Sequence, residues 1–165
     1  MNSSWPQSVL SNFDQAAKVY NSKANLQRAI AWRLAKQCSF YPIPNGFWVD
    51  LGAGTGLLAD SLEEINSPQD VLRLDGSSEM VKQFSSKTPS QLWDLNQGLP
   101  LWSNKPNFLA SSFALHWLIH PCARLKEWFL ALPPGGWLAL TFPIAGSFPQ
   151  WHQAAKNAEV RCTAT

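Results

Sequence analysis

Three aspartates and a set of alternate glycines are the residues of this chain best suited to hold a small molecule. The stretch FWVDLGAGTGLLADSLEE, residues 47–64, sets Asp50 ahead of Gly52, Gly54 and Gly56. An apolar run precedes the glycines and an amphipathic one follows, the pattern of a strand, a tight turn and a helix. Asp75 closes the apolar run VLRLD, and Asp94 follows QLW. Each of three successive strands would therefore end on or beside an acid. In an open parallel sheet, ligands sit beyond the carboxyl ends of the strands, at the switch point.

The acids and glycines together select the ligand. A dinucleotide fingerprint, GxGxxG/A, counted from Gly52 needs a small third residue at position 57, where the chain has Leu57. Asp50 would also set a negative charge close to a pyrophosphate. An acid before a GxGxG turn suits a ligand with positive charge and no phosphate. S-adenosyl-L-methionine, with its ammonium, sulfonium and ribose diol, is such a ligand. The glycines let the backbone approach it closely. Asp75 would accept two hydrogen bonds from the ribose hydroxyls, and Asp94 one from the adenine amino group, with Leu95 flanking the ring. The competing reading makes all three acids solvated strand-end residues of an ordinary α/β domain.

The elements that must position these residues follow from periodicity. Strands are predicted over 47–51, 70–75, 91–93, 108–111 and 137–142, and helices over 57–64, 78–84 and 122–132. Alternating strands and helices imply a mainly parallel, doubly wound α/β sheet of Rossmann-like form with right-handed crossovers. Two helices precede it. In NFDQAAKVY, Phe13, Ala16, Ala17 and Tyr20 recur at helical spacing after a capping Asn12. In NLQRAIAWRLAKQC, Leu26, Ile30, Leu34 and Cys38 form a stripe opposite Arg28, Arg33 and Lys36. Pro42 and Pro44 end that helix. The boundary predicts an N-terminal helical lid segment, 1–45, and a binding core, 46–165.

Bulk composition narrows the function. At 165 residues the chain fits one domain, with 45% hydrophobic and 15% charged residues. A net charge of +2 gives a nucleic-acid partner no support, although residues 1–49 carry five bases against Asp14. Cys38, Cys122 and Cys162 are odd in number and widely spaced, which points to a reducing cytoplasm without a disulfide framework. No signal pattern opens the chain, and prolines and glycines break its most apolar region, so no membrane partner is expected. His116 and His120 lie four apart with no third ligand, so no metal site is expected.

The order VDLGAGTG, LDGSSEM, WDLNQGLPL, SSFALHW and LPPGGWLALTF resembles the class I S-adenosylmethionine-dependent methyltransferases. More narrowly, FDQAAKVYNSKANLQ at the front and FPIAGSFPQWHQA at the back resemble the malonyl-[acyl-carrier protein] O-methyltransferase family of biotin synthesis. That resemblance, spanning Phe13 to about Ala158, implies methylation of the free carboxyl of a malonyl thioester. It places the cofactor on Asp50, Gly52, Ala53, Gly54, Gly56, Asp75, Gly76, Met80, Asp94, Leu95 and Ser111. It sets Tyr20 in a lid with its hydroxyl near the methionine or the acceptor carboxylate, and His116 and Trp117 at the acceptor pocket. Residue by residue, alternatives stay open: Tyr20 as a core aromatic, Ser111 and Ser112 as turn caps, His116 as a hydrogen-bonded structural histidine. A carboxylate already ionised at neutral pH needs no general base, and the chain offers no nucleophile elbow, HExxH or triad. SSFALHW also departs from the [DNS]-P-P-[YFW] signature of enzymes that methylate planar amino groups.

The implied partner is an acyl carrier protein bearing malonyl. Its acidic surface would be steered by Arg28, Arg33 and Lys36, or those residues simply solvate a helix face. The protein is expected to act as a monomer. Family members continue beyond the last predicted strand with a helix and a hairpin. RCTAT follows only one further predicted helix, QWHQAAKNAEV, so the family's C-terminal strand pair is expected to be missing and the 137–142 strand to be an exposed apolar edge. Two alternatives remain: a class I methyltransferase acting on another small molecule, or a truncated, non-catalytic cofactor-binding remnant.

Overall fold

A computed structural model describes residues 5–67 and 69–160. Cys162 and RCTAT lie outside the described residues. Two helices, α1 (Trp5–Lys23) and α2 (Asn25–Cys38), precede strand β1 (Trp48–Leu51). Then follow α3 (Leu57–Ile65), β2 (Val71–Asp75), the single turn α4 (Ser78–Val81), β3 (Ser90–Leu92), β4 (Phe108–Ser112), α5 (Pro121–Ala131), β5 (Trp137–Thr141) and α6 (Pro149–Asn157). Short 3-10 turns at Leu95–Gln97 and Leu115–Trp117 flank β4. The strands form one parallel sheet in the order β3-β2-β1-β4-β5. The chain works outward from β1 to β3, then returns to place β4 on the other flank of β1. The switch point therefore lies between β1 and β4.

Strand side chains alternate between two covered faces, which is why β1 and β4 read as apolar on both sides. Trp48, Phe108 and Ala110 pack with Leu58, Ala59 and Leu62 of α3 and with Ala31, Ala35 and Cys38 of α2. Val49, Leu51, Leu74 and Leu109 pack with Leu115 and Trp128 on the opposite face. Arg73, in register with Asp50, is buried on β2 and paired to Asp60 at 2.6 Å and Glu63 at 2.7 Å.

Several local expectations move. Helix α1 already includes Trp5, so Asn12 lies inside it and is no cap. Its apolar stripe runs Pro6, Val9, Leu10, Phe13, Ala17 and Tyr20, a helical period that begins a turn and a half before NFDQ. On α2 the buried side is Ala31, Ala35 and Cys38, and Leu26 is exposed; small alanines let α2 lie close on α3, which the larger residues of the predicted stripe would not. Helix α4 stops at Val81 rather than reaching Phe84. Strand β5 does form an edge of the sheet. Trp137 and Ala139 meet one core face, and Leu138 and Leu140 the other. Cys38 and Cys122 are free thiols.

Candidate functional site

Beyond the carboxyl ends of β1, β2 and β4 lies a cavity with about 890 Å³ of empty space, counting its open mouth. Its floor is the glycine turn. The Gly52 and Ala53 N–H groups donate to the Leu74 carbonyl at 2.8 and 3.0 Å, tying the turn to β2. The Gly54 N–H donates to Asp75 Oδ2 at 2.7 Å, and the Ser77 N–H to Asp75 Oδ1 at 2.8 Å. Asp75 thus holds the turns after β1 and β2 together while lining the cavity. Burial pushes its pKa up, against the backbone N–H bonds that lower it.

Two glycines of the turn do different work. At Gly54 (φ +57°) an added Cβ would meet no protein atom within 4 Å, so the backbone there borders open space. At Gly52 (φ +74°) a Cβ would lie 2.3 Å from the Ala114 Cβ, so its absence lets the segment after β4 close against the turn. Phe113 in that segment also has a left-handed backbone, φ 57°, unusual for an aromatic residue, and its side chain lines the cavity.

The acids divide their roles. Asp50 Oδ2 accepts from the Ala59 N–H at 3.1 Å, standing in for the cap that Gly56 cannot supply to α3. Its Oδ1 is buried with no partner among the described residues. Burial raises its pKa from 3.8 to about 7; the Ala59 N–H and the nearby Arg73 pull the other way. Asp94 Oδ1 accepts from the Asn96 N–H and side-chain amide, both at 2.9 Å, which caps the turn that presents Leu95. Its other carboxylate oxygen carries no bond to the described residues.

Helix α1 forms the roof. Val9, Leu10 and Phe13 face the cavity, and Trp117 meets Phe13 edge-on at 5.8 Å and stacks on Trp5 at 6.1 Å. Polar bonds fasten α1 at both ends of the site. Asp14 accepts from the Ser77 hydroxyl at 2.6 Å and the Glu79 N–H at 3.2 Å; Asn21 accepts from the Thr55 hydroxyl at 2.5 Å.

The cavity brings together Tyr20, Asp50, Gly52, Ala53, Gly54, Asp75, Gly76, Asp94, Leu95 and Trp117 of the residues singled out from sequence. Four stand outside its wall. Gly56 serves as the left-handed start of α3, with Phe84 and Arg73 crowding its Cβ position. Met80, a residue of α4, is fully buried. Ser111 faces the core like Leu109, and its hydroxyl donates to the Leu51 carbonyl at 2.7 Å, so Ser112, bonded to Thr141, lines the cavity in its place. His116 turns away where Trp117 turns in. Its Nδ1 is buried without a partner among the described residues, and burial lowers its pKa. The sequence reading missed Gln27 and Asn96, and gave no site role to Pro6, Val9, Leu10 or Phe13. Extending the α1 period back to Pro6 would have found the roof.

No Lys, Arg or His lines the cavity among the described residues; its ionisable groups are Asp50, Asp75, Asp94 and Tyr20. That set repels a pyrophosphate and favours a ligand bringing donors and positive charge, which S-adenosyl-L-methionine does. The residues present therefore fit that cofactor. No group of three or more potential metal ligands occurs among the described residues, and none of their helices is long and apolar enough to cross a membrane.

Comparison with known proteins agrees with this geometry. A malonyl-[acyl-carrier protein] O-methyltransferase of Marinomonas sp. (strain MWYL1) is 30% identical over 158 residues, covering 92% of this chain and 57% of that protein. A protein of the same description from Pseudescherichia vulneris is 31% identical over 157 residues, covering 93% and 60%. The chain thus spans little more than half the length of these curated relatives. The solved DhpI-SAM-HEP complex shares the fold, with a TM-score of 0.71 and 19% identity over 93% of this chain and 73% of that one. The family described as a methyltransferase domain matches residues 22–165, from the end of α1 through the whole parallel sheet, and the chain belongs to that family.

Proposed function

We propose that this chain binds S-adenosyl-L-methionine in the cavity above the glycine turn and methylates the free carboxyl of a malonyl group carried as a thioester on acyl carrier protein. The observation that carries the cofactor reading is the meeting of the Gly54 backbone, Asp75 and Asp94 at successive strand ends, in a cavity free of cationic side chains among the described residues. The acceptor reading draws its support from the relatives, which carry that activity in their names.

When bound, the cofactor supplies a methyl group on a positively charged sulfur. The residues of the chain do the rest by placement. Asp75 would accept from the ribose hydroxyls and Asp94 from the adenine amino group, with Leu95 against the ring. Phe13, Phe113, Trp117 and Leu118 line an apolar wall that would exclude water from an ionised acceptor and hold it in line with the sulfur–methyl bond. A malonyl carboxylate is ionised at neutral pH, so no side chain need remove a proton. We read residues 1–45 as the lid and acceptor segment and 46–165 as the cofactor core. Arg28, Arg33 and Lys36 lie on the exposed side of α2, where an acidic carrier would dock. The setting we propose is cytoplasmic.

Incubation with labelled methyl donor and malonyl-carrier protein, beside free dicarboxylic acids and quinols, tests the assignment. A base-labile label on the carrier-bound malonyl supports it. Label on another acceptor alone reassigns the substrate, and cofactor binding with no label on any acceptor identifies a binding remnant.

A further inference from the structure

Most of the apolar wall opposite the glycine turn comes from one short segment. Phe113, Ala114, Trp117 and Leu118, all lining the cavity, lie between the end of β4 and the start of α5. Phe113 is left-handed, a conformation that persists only where the surroundings hold it. The segment is held at both ends. At its start the Phe113 N–H donates to the Thr141 carbonyl at 2.8 Å, and Ala114 lies against Gly52. At its far end the Ile119 N–H donates to Asn96 Oδ1 at 2.9 Å. The same carboxamide donates from Nδ2 to Asp94 Oδ1 at 2.9 Å, and the Asn96 N–H donates to that oxygen as well. One side chain therefore touches both the acid assigned to the adenine and the segment assigned to the acceptor.

We propose that Asn96 is a positioning residue that couples adenosyl binding at Asp94 to the shape of the acceptor wall. A ligand donor on the free oxygen of Asp94 fixes the carboxylate, and the carboxylate fixes the Asn96 amide. The amide in turn fixes Ile119, two residues beyond Trp117. Position 96 needs a carboxamide for this, because the side chain donates to one partner and accepts from the other. An aspartate would meet Asp94 charge against charge, and an aliphatic side chain would serve neither partner. The wall is thus ordered most fully once the methyl donor is in place, so binding at the adenine end prepares the place where the acceptor must lie. A separate tie bypasses the wall: the Leu99 N–H donates to Glu127 Oε1 of α5 at 3.0 Å. That bond keeps the two elements together when Asn96 is replaced.

This proposal rests on the cofactor reading, not on the identity of the acceptor, and its test separates the two. The measurement is hydrogen exchange at the Trp117 and Leu118 N–H groups, which bond within the turn to the Ala114 and Leu115 carbonyls. It is made without and with saturating S-adenosylhomocysteine, on the parent, Asn96→Asp and Ile119→Pro. Thermal melts check folding, and calorimetry sets the ligand concentration for each. Asn96→Asp breaks the Asp94 end of the tie and keeps an acceptor for Ile119. Ile119→Pro removes the N–H at the other end and leaves Asn96 on Asp94. Leu118 is already extended (φ −80°, ψ 150°), as a residue before proline must be. In the parent the ligand should slow exchange at both groups about 10-fold or more, and in either variant less than about 2-fold. Ile119→Pro should still bind the ligand within about 3-fold of the parent. A tie that served folding alone would speed exchange with and without ligand alike, leaving the gain in protection intact. Folded variants with the parent's gain, or a parent that binds the ligand with no gain, overturn the proposal and leave the cofactor reading standing. A parent that does not bind S-adenosylhomocysteine overturns both.

Discussion

Asp75→Asn separates the architectural role of this side chain from its role toward a ligand. The carboxylate accepts the Gly54 N–H at 2.7 Å and the Ser77 N–H at 2.8 Å. Asparagine has the same shape but only one acceptor oxygen, so its amide would face one of those two N–H groups, donor against donor. Leaving one partly buried N–H unpaired costs about 1–3 kcal/mol. For a chain of this size that lowers the melting temperature by roughly 2–4 °C per kcal/mol. The second loss falls on the ligand. If two ribose hydroxyls donate to the carboxylate, the amide can accept only one of them, and a hydrogen bond to a charged group is worth about 1.5–3 kcal/mol, or roughly 10–150-fold in affinity. Thermal melts and S-adenosylhomocysteine calorimetry read the two losses separately. A folded variant with a lowered melting temperature and unchanged affinity would refute the ribose assignment and leave Asp75 as a brace for the turns.

Three further outcomes are expected. Asp50 holds a proton in the folded chain up to about pH 7 that the unfolded chain releases near 3.8, so its contribution to stability falls as pH rises through that window and is level above it. Asp50→Asn, which keeps an acceptor for the Ala59 N–H, should remove this slope and gain up to about 4 kcal/mol over the parent between pH 4 and pH 8; superimposable melting profiles against pH would contradict it. Gly52→Ala, driven into Ala114 at a left-handed backbone, should cost about 2–5 kcal/mol in denaturant unfolding, and Gly54→Ala only about 1–2 kcal/mol, with its larger effect on cofactor affinity; equal destabilisation would show that Gly54 does not border open space. Reversing Arg33 and Lys36 to Glu, with Arg28 left on the Asn21 carbonyl, should slow association with malonyl-carrier protein in stopped flow at low salt, the effect fading as charges are screened over about 10 Å at 0.1 M, with cofactor affinity unchanged; an unaltered rate at low salt assigns these charges to solubility alone.

Much of the cofactor floor was legible because its signals are local. A strand, a glycine turn and a terminal acid are read within a few residues, and Asp50, Asp75 and Asp94 line one cavity because parallel strands end on one side. Residues set by three-dimensional choice were harder. Ser111 and Ser112 are adjacent in sequence, and the parity of β4 sends one hydroxyl to the Leu51 carbonyl and the other to the cavity wall. His116 and Trp117 divide in the same way, on a three-residue turn whose rotation no periodicity reports. The α2 stripe misled because side-chain size was taken as the sign of burial, whereas close helix packing put alanines inside and left Leu26 exposed. Gln27 carries no sequence signal of its own. The turn between α1 and α2 brings it to the cavity wall.

The central claim is that the cavity above the glycine turn is a methyl-donor site. Titration of the intact chain with S-adenosylhomocysteine, followed by calorimetry, tests it most directly. The account predicts saturable binding of one ligand per chain, weakened in Asp75→Asn and Gly54→Ala. A folded chain that gives no saturable binding, or variants that bind as tightly as the parent, would contradict it.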